Sequence, residues 1–474
     1  MTTLKNNLIG DRAFYQKVVA VLLPIVIQNA VTNIVSLVDN VMVGAVGTLQ
    51  MSAVAIVNQL LFIFYLCIFG GLAGAGIFAA QYAGAGDNEG IKHCFRIKFL
   101  IALAMSLLAI GVFLLFDNPL ISMYFAEDTD PVEAAQTLGF AKDYLLVMLF
   151  GLLPFGLSQT YGSTLREMGE TKLPMIASLC AIGVNLAFNY VLIFGSDGIP
   201  FLPFGPLGVV GAAIATVLSR FVEAVIIILY VHRNKEKYPF IKGVYRSFKI
   251  PLPLLAEIGK KGSPLLLNEF LWSLGMAMLN QCYSARGLGV VAATNIATTA
   301  NNLFNVVFLS MGNAIAIMAG QQLGAGEYKK AKITVNRLLA LSVATCLVMG
   351  GLLAILAPYV PLMYKTTAEV RSLATSLLYV TAILMPVYAF CHGCYFTMRS
   401  GGKTVMTFAF DCGFTWLLSF PTAFILSRFT GMPMLEMYVC VQSIEIVKSI
   451  LGFILVQKGV WINNIVSTGA DQKI

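Results

Sequence analysis

The stretch G76-I-F-A-A-Q-Y-A-G-A-G-D-N-E-G-I-K92 lies, at a shift of 240 residues, over A316-I-M-A-G-Q-Q-L-G-A-G-E-Y-K-K-A-K332. Gln81 falls on Gln321, the run Gly84-Ala85-Gly86 on Gly324-Ala325-Gly326, and Lys92 on Lys332. The same shift sets Pro24 on Pro264. Further on, at a slightly smaller shift, T164-L-R-E-M-G-E-T171 matches T397-M-R-S-G-G-K-T404, as an insertion between the copies would produce. A fixed internal period of this size marks a duplicated architecture.

The duplicated unit is a membrane one. Hydrophobic residues make up 58% of the chain and charged residues only 11%, whereas charged residues alone are about a quarter of a soluble protein. Apolar segments recur from Val18 to Gln457, each long enough for the roughly 20 residues of a spanning helix. They predict twelve helices, at 15–44, 52–82, 94–116, 138–161, 172–195 and 207–232, then at 262–285, 292–322, 335–357, 372–398, 404–427 and 433–457. Six helices separate the copies, so both have the same orientation, related by a pseudo-two-fold axis along the membrane normal. The expected domains are an N-lobe at 1–232, a basic cytoplasmic linker at 233–261 and a C-lobe at 262–474. Such lobes enclose a midplane cavity and rock against each other in secondary transporters.

The net charge of +8 could point to nucleic acid, but its distribution reads as topology. With both termini in the cytoplasm, inside segments collect Lys5, Arg12, Lys17, Lys92, Arg96, Lys98, Arg166 and Lys172, the basic residues of 233–261, and later ones through Lys473. The outside receives Lys142, Arg286, Lys365, Arg371 and Arg428. That bias is the positive-inside rule. The first apolar segment lacks a short core followed by a small-residue cleavage site, so it is expected to be retained. C391-H-G-C394 is the one pair of cysteines at metal or redox spacing, and on a membrane helix it reads as small residues at packing positions.

A carboxylate at the bilayer centre costs about 2.5 to 3.5 kcal/mol on insertion scales, so each one needs a reason. Glu223 has Arg220 three residues before it and Glu445 has Lys448 three residues after it; such spacing allows local neutralisation. Glu436 sits at a helix end. Asp39, Glu269 and Asp411 have no basic residue three or four positions away. Asn29, Thr32, Ser36 and Asp39 share one face of the first helix, at steps of three, four and three. Glu269, Ser273 and Asn280 follow the seventh helix at similar spacing, and Asn295, Thr298, Asn302 and Asn305 share a face of the eighth. Hydrogen bonding between helices would explain such stripes equally well.

Several of these segments resemble one family. L37-V-D-N-V-M-V-G44, Q81-Y-A-G-A-G86, G183-V-N-L-A-F-N-Y-V-L-I-F-G195 and G208-V-V-G-A-A-I-A-T-V-L-S219 are similar to those of the MATE, or multidrug and toxic compound extrusion, transporters, closest in pattern to the bacterial NorM type. The resemblance implies that Asp39 works with Asn185, Asn189 and Thr216 as a cation-responsive site. It also implies that Glu269 is a cation or substrate residue of the second lobe. That branch carries acids in the tenth helix, whereas 377–398 has none, so Asp411, with Asn280 and Asn302, is the candidate replacement. Asn29, Phe155, Tyr161, Trp272, Met276 and Phe304 are candidates for lining a cavity, since aromatic and Met surfaces suit varied hydrophobic cations.

The expected function is therefore secondary antiport. Lipophilic, often cationic, organic compounds leave as Na⁺ or H⁺ enters, without ATP or a resident cofactor, and without a metal beyond a transported Na⁺. The expected setting is the inner, cytoplasmic membrane and its lipid bilayer, with no nucleic-acid partner, and the expected state is a monomer. A flippase for a lipid-linked or amphiphilic metabolite is the alternative; it would favour an Arg-rich cavity. A membrane enzyme would need clustered His or paired acids, whereas His93, His232 and His392 are dispersed.

Overall fold

The computed structural model of the chain describes residues 8–125, 130–198 and 205–467. Lys5 and Lys473, which enter the charge bias above, lie outside them. Twelve long helices run through the described residues: α1 Arg12–Gly44, α2 Thr48–Ala85, α3 Asn88–Leu115, α4 Pro131–Glu167, α5 Lys172–Gly198, α6 Gly208–Arg233, α7 Leu252–Ser284, α8 Leu288–Gly324, α9 Tyr328–Leu356, α10 Ala368–Ser400, α11 Thr404–Phe429 and α12 Met434–Gln457. Eleven of them, all but α7, are long and apolar enough to cross a membrane. α7 is as long as the others, but Asn268 and Glu269 sit in its middle and lower its hydropathy. The chain is an all-α, multi-pass membrane protein.

α7 begins at Leu252 rather than at 262. Its first turns carry Glu257, Lys260 and Lys261, straight-chain residues that form helix well but do not read as membrane. Pro24 and Pro264, matched in the repeat, both lie inside helices, α1 and α7.

The repeated motifs are repeated helix ends. Gly86 and Gly326 adopt φ of +73° and +74°, a left-handed conformation that glycine enters without steric cost. Around them the N–H of Asp87 reaches the Tyr82 carbonyl at 3.0 Å and that of Glu327 the Gln322 carbonyl at 2.9 Å. The N–H groups of Gly86 and Gly326 reach three residues back, to the carbonyls of Ala83 and Leu323. This is the Schellman pattern, which satisfies the last carbonyls of a helix. The second motif repeats it: Glu170 bonds to Leu165 around Gly169, and Lys403 to Met398 around Gly402. The sequence identities mark four stops, ending α2, α8, α4 and α10.

The described chain divides into two compact units. One gathers residues up to Val26, Ala80–Asp87 and those from Glu257 onward; the other gathers Ile27–Ala79 and Asn88–Ala256. In the first unit the ends of α2 and α8 cross at backbone contact. A Cβ on Gly84 would overlap the Gln321 carbonyl, and one on Gly324 would overlap the Gln81 carbonyl. Gln81, fully buried, also ties in the segment after α12. Its Nε2 donates to the carbonyls of Ser400 (3.0 Å) and Asn463 (3.1 Å), and its Oε1 accepts from the Ile465 N–H (2.8 Å). Trp461 is buried there, donating from Nε1 to the Val456 carbonyl at 3.1 Å.

In the second unit Leu61, Phe64, Ile68, Leu145, Leu149 and Leu152 form part of an apolar core. The connection after α6 folds back onto this unit. Phe240, Ile241 and Val244 are buried, and Arg96 donates to the carbonyls of Val244 (2.8 Å), Gly243 (3.3 Å) and Lys249 (3.3 Å). Lys237 meets Glu170 at 2.6 Å, a contact that holds its ammonium group above the usual lysine range. Lys98, counted by sequence among the inside loop charges, is fully buried against Glu167, Ser163 and Thr164.

Candidate functional site

Two polar clusters stand inside the helices, one in each unit. The first joins α1, α5 and α6. Asn185 and Asn189 are one turn apart on α5, so their amides stack along one face, and both are buried. The Asn189 Nδ2 donates to Asp39 Oδ1 at 2.7 Å and to Asn185 Oδ1 at 3.2 Å. The Asn185 Nδ2 donates to Thr216 Oγ1 at 3.3 Å, and Thr216 donates to the Ala212 carbonyl. The four residues expected to act together therefore touch.

The cluster has more acceptors than donors. The other end of the Asn185 amide lies 3.1 and 3.2 Å from the two carboxylate oxygens of Asp39. Turning the amide over would donate to Asp39 but set its nitrogen 3.2 Å from that of Asn189. The Asn189 Oδ1 is buried with no hydrogen-bond partner, a costly state for a carbonyl oxygen. A small cation or a shared proton is what a surplus of converging oxygens can accept.

Arg220 stands one turn beyond Thr216 on α6, on the helix face whose Thr216 meets Asn185. Its guanidinium lies over Phe155, 5.1 Å from the ring centroid, and 6.0 Å from that of Tyr65. The expected pairing of Arg220 with Glu223 is present at 3.7 Å, an ion-pair distance but too long for a hydrogen bond.

The second cluster joins α7, α10, α11 and α12. Asp411 Oδ1 meets Lys448 Nζ at 3.0 Å and its Oδ2 accepts from Asn268 Nδ2 at 3.1 Å. Lys448 also lies 3.5 Å from Glu445, so one lysine bridges two acids, and Asp411 has the counter-charge that local spacing could not assign. Tyr395 accepts from Asn268 at 3.3 Å and donates to Glu269 Oε1 at 3.4 Å. Asp411 is carried on a π-helical stretch, Ala409–Gly413, followed by a second one, Thr415–Ser419. Pro421 explains a disturbance there, because it removes a backbone donor and its ring crowds the carbonyl four residues back.

The remaining candidates are scattered. Asn280 is exposed on α7, twelve residues from Asn268 and so about 18 Å further along the helix. Asn302 is exposed on α8, and Asn29 is half-buried on α1. Trp272 and Met276 are exposed one turn apart on α7, and Phe304 packs against the core of the first unit. Tyr161 is buried, its hydroxyl between His232 (3.0 Å) and Tyr245, so it packs α4 onto the connection after α6. Among the described residues no group of three or more His, Cys, Asp or Glu could hold a metal ion. Cys391 and Cys394 are buried free thiols on α10.

Arg220 and Lys448 are the residues that sequence reasoning assigned to purely local pairs. The only available signal was their place on the same helix faces as Thr216 and Glu445.

A protein-family model described as MatE matches residues 24–191 and again 264–425, the two halves of the repeat. Among curated proteins the chain is 26% identical to a probable multidrug resistance protein, YoeA, of Bacillus subtilis, over 88% of each chain. It is 24% identical to a probable multidrug resistance protein, NorM, of Halalkalibacterium halodurans, over 86% of this chain and 87% of that one. Among solved structures it superposes on an outward-facing multidrug resistance MATE family transporter with a TM-score of 0.83, at 21% identity, covering 94% of this chain and 95% of the other. It superposes on the bent form of the Vibrio cholerae MATE transporter VcmN with a TM-score of 0.80, at 18% identity, covering 94% and 97%.

Proposed function

The chain belongs to the MATE family of multidrug efflux transporters, and on that premise we propose that it exports lipophilic, cationic organic compounds in exchange for inward Na⁺ or H⁺. It is a transporter, not an enzyme. The observation that carries the coupling reading is the cluster of Asp39, Asn185, Asn189 and Thr216, where the Asn185 amide oxygen lies 3.1 and 3.2 Å from the two carboxylate oxygens of Asp39 and the Asn189 amide oxygen is left without a partner. One net negative charge among neutral oxygens suits a monovalent cation.

In this reading the two repeats alternate access to the two sides of the membrane. Inward movement of one positive charge releases about 2.3 kcal/mol per 100 mV. Occupancy of Asp39 by the cation satisfies the surplus acceptors and removes the charge that a cationic substrate would meet. Substrate and cation thus favour different arrangements, and a ligand shifts an equilibrium only by its differential affinity for the two states. Glu269 is proposed as a second, substrate-facing acid. The positive-inside bias supports cytoplasmic termini and residence in the cell membrane.

The test is efflux of a lipophilic cationic dye from proteoliposomes under an imposed Na⁺ gradient or an imposed pH gradient. Wild type should respond to one of the two, Asp39→Asn to neither, and Glu269→Gln with weakened dye export. Full-rate uphill export by Asp39→Asn would end the coupling reading.

A further inference from the structure

Among the charged side chains of the second unit Lys98 and Glu223 are buried, and Asp39, Arg166, Glu167 and Arg220 are half-buried. Lys98 is spent on Glu167. Arg220 itself stands 3.7 Å from Glu223, and its Nε is buried with no hydrogen-bond acceptor. What seats it is aromatic: Phe155 beneath the guanidinium and Tyr65 beside it, two rings whose centroids are 4.5 Å apart. Four residues separate it from Thr216, about 6 Å along the helix, on the face that reaches Asn185.

We propose that Arg220 is a tethered counter-cation for Asp39, a positioning residue that balances the carboxylate when the transported cation has left and that the incoming cation must work against. The inference rests on the reading of Asp39 as the coupling residue. It explains why a lone acid is tolerated in the membrane between transport events, and why a cation is held on Phe155 and Tyr65 instead of forming a close bond to Glu223. The cation and Arg220 cannot both neutralise one carboxylate, so binding is weakened and release eased. A transporter needs release as much as binding.

A purely local role, as the partner of Glu223, makes a different prediction. It would lower stability on mutation and leave cation affinity alone.

The experiment uses the full-length protein in proteoliposomes and reads the concentration of the driving cation, Na⁺ or H⁺, that gives half-maximal dye export. Unit charges about 8 to 12 Å apart at an effective dielectric near 20 repel enough to weaken binding roughly ten- to thirtyfold. Arg220→Met should therefore lower the half-saturating concentration about tenfold, whereas Arg220→Lys, which keeps the charge, should stay within about twofold. Phe155→Leu removes the seat but keeps the charge and should fall between them; it also serves if Arg220→Met does not fold. An unchanged half-saturation in a folded Arg220→Met or Arg220→Gln protein overturns the proposal, as does an Arg220→Lys shift as large as that of Met. Asp39→Asn separates the two readings. If it abolishes coupling while Arg220→Met changes nothing, only the role of Arg220 falls. If it couples normally, the Asp39 reading falls by itself.

Discussion

Gln81→Leu should release the segment after α12 without disturbing the helices it lies on. The substitution keeps the side-chain volume nearly constant, a change that cores tolerate well, and deletes three hydrogen bonds: to the carbonyls of Ser400 and Asn463 and from the N–H of Ile465. At about 1 kcal/mol net each, the loss is about 3 kcal/mol, or roughly a hundredfold in the opening equilibrium of the segment. Hydrogen–deuterium exchange of the peptide covering Trp461–Ser467 in lipid nanodiscs reads this directly, because exchange through local opening tracks that equilibrium. The Ile465 amide should gain the full factor. The amides of Val466 and Ser467, which bond to the Asn464 side chain at 3.0 Å, should gain less, since that turn is closed locally. Peptides within α12 should not change. If exchange of Trp461–Ser467 in Gln81→Leu matched the wild type, the segment would be held by Trp461 and not by the glutamine, and the reasoning would be refuted.

Lys98→Met removes the fully buried lysine that meets Glu167 and should cost about 3 to 5 kcal/mol, seen as a lower melting temperature in detergent; adding Glu167→Gln should recover most of it. Gly324→Ala drives a methyl group into the Gln81 backbone and should sharply reduce the yield of folded protein. Gly326→Ala, two residues on, meets nothing within 4 Å and should cost only about 1 to 2 kcal/mol of left-handed backbone strain, so the two alanines should separate clearly by size-exclusion thermal melting. Lys448→Met removes the cation shared by Asp411 and Glu445; it should lower stability by several kcal/mol, and Asp411→Asn in the same chain should restore part of that loss.

Helix number and the repeated motifs were open to reading because each is written in short-range order. Apolar runs give the helices, and glycine at a forced left-handed stop gives the motif. Asn185 and Asn189 share a face by simple periodicity, although their meeting with Asp39 came from family resemblance. What stayed hidden depends on which helices touch. A rule that looks three or four residues away assigns Arg220 to Glu223 and Lys448 to Glu445, and those pairs exist. It cannot see that Lys448 lies closer to Asp411, 37 residues earlier, or that Arg220 lies over the ring of Phe155 on another helix. Charge counting is blind in a related way at Lys98 and Arg96, because a basic residue near a helix end scores as an inside charge whether it meets water, Glu167 or three backbone carbonyls. The segment after α12 escaped because the apolar pattern ends at Gln457.

The two π-helical stretches of α11 give that helix a length that its span alone would not require. Each wider turn holds a residue more than an α-turn would, and every residue before it is rotated relative to those after. Asp411 points at Lys448 and Asn268 by virtue of that offset. Removing one residue between 414 and 419 would let the helix rewind as a regular one. It would still be long enough to span, yet its N-terminal part would face round by about a quarter turn or slightly more, carrying Asp411 away from its lysine. In α11, then, a deletion that hydropathy would not register amounts to a change of address for a buried charge.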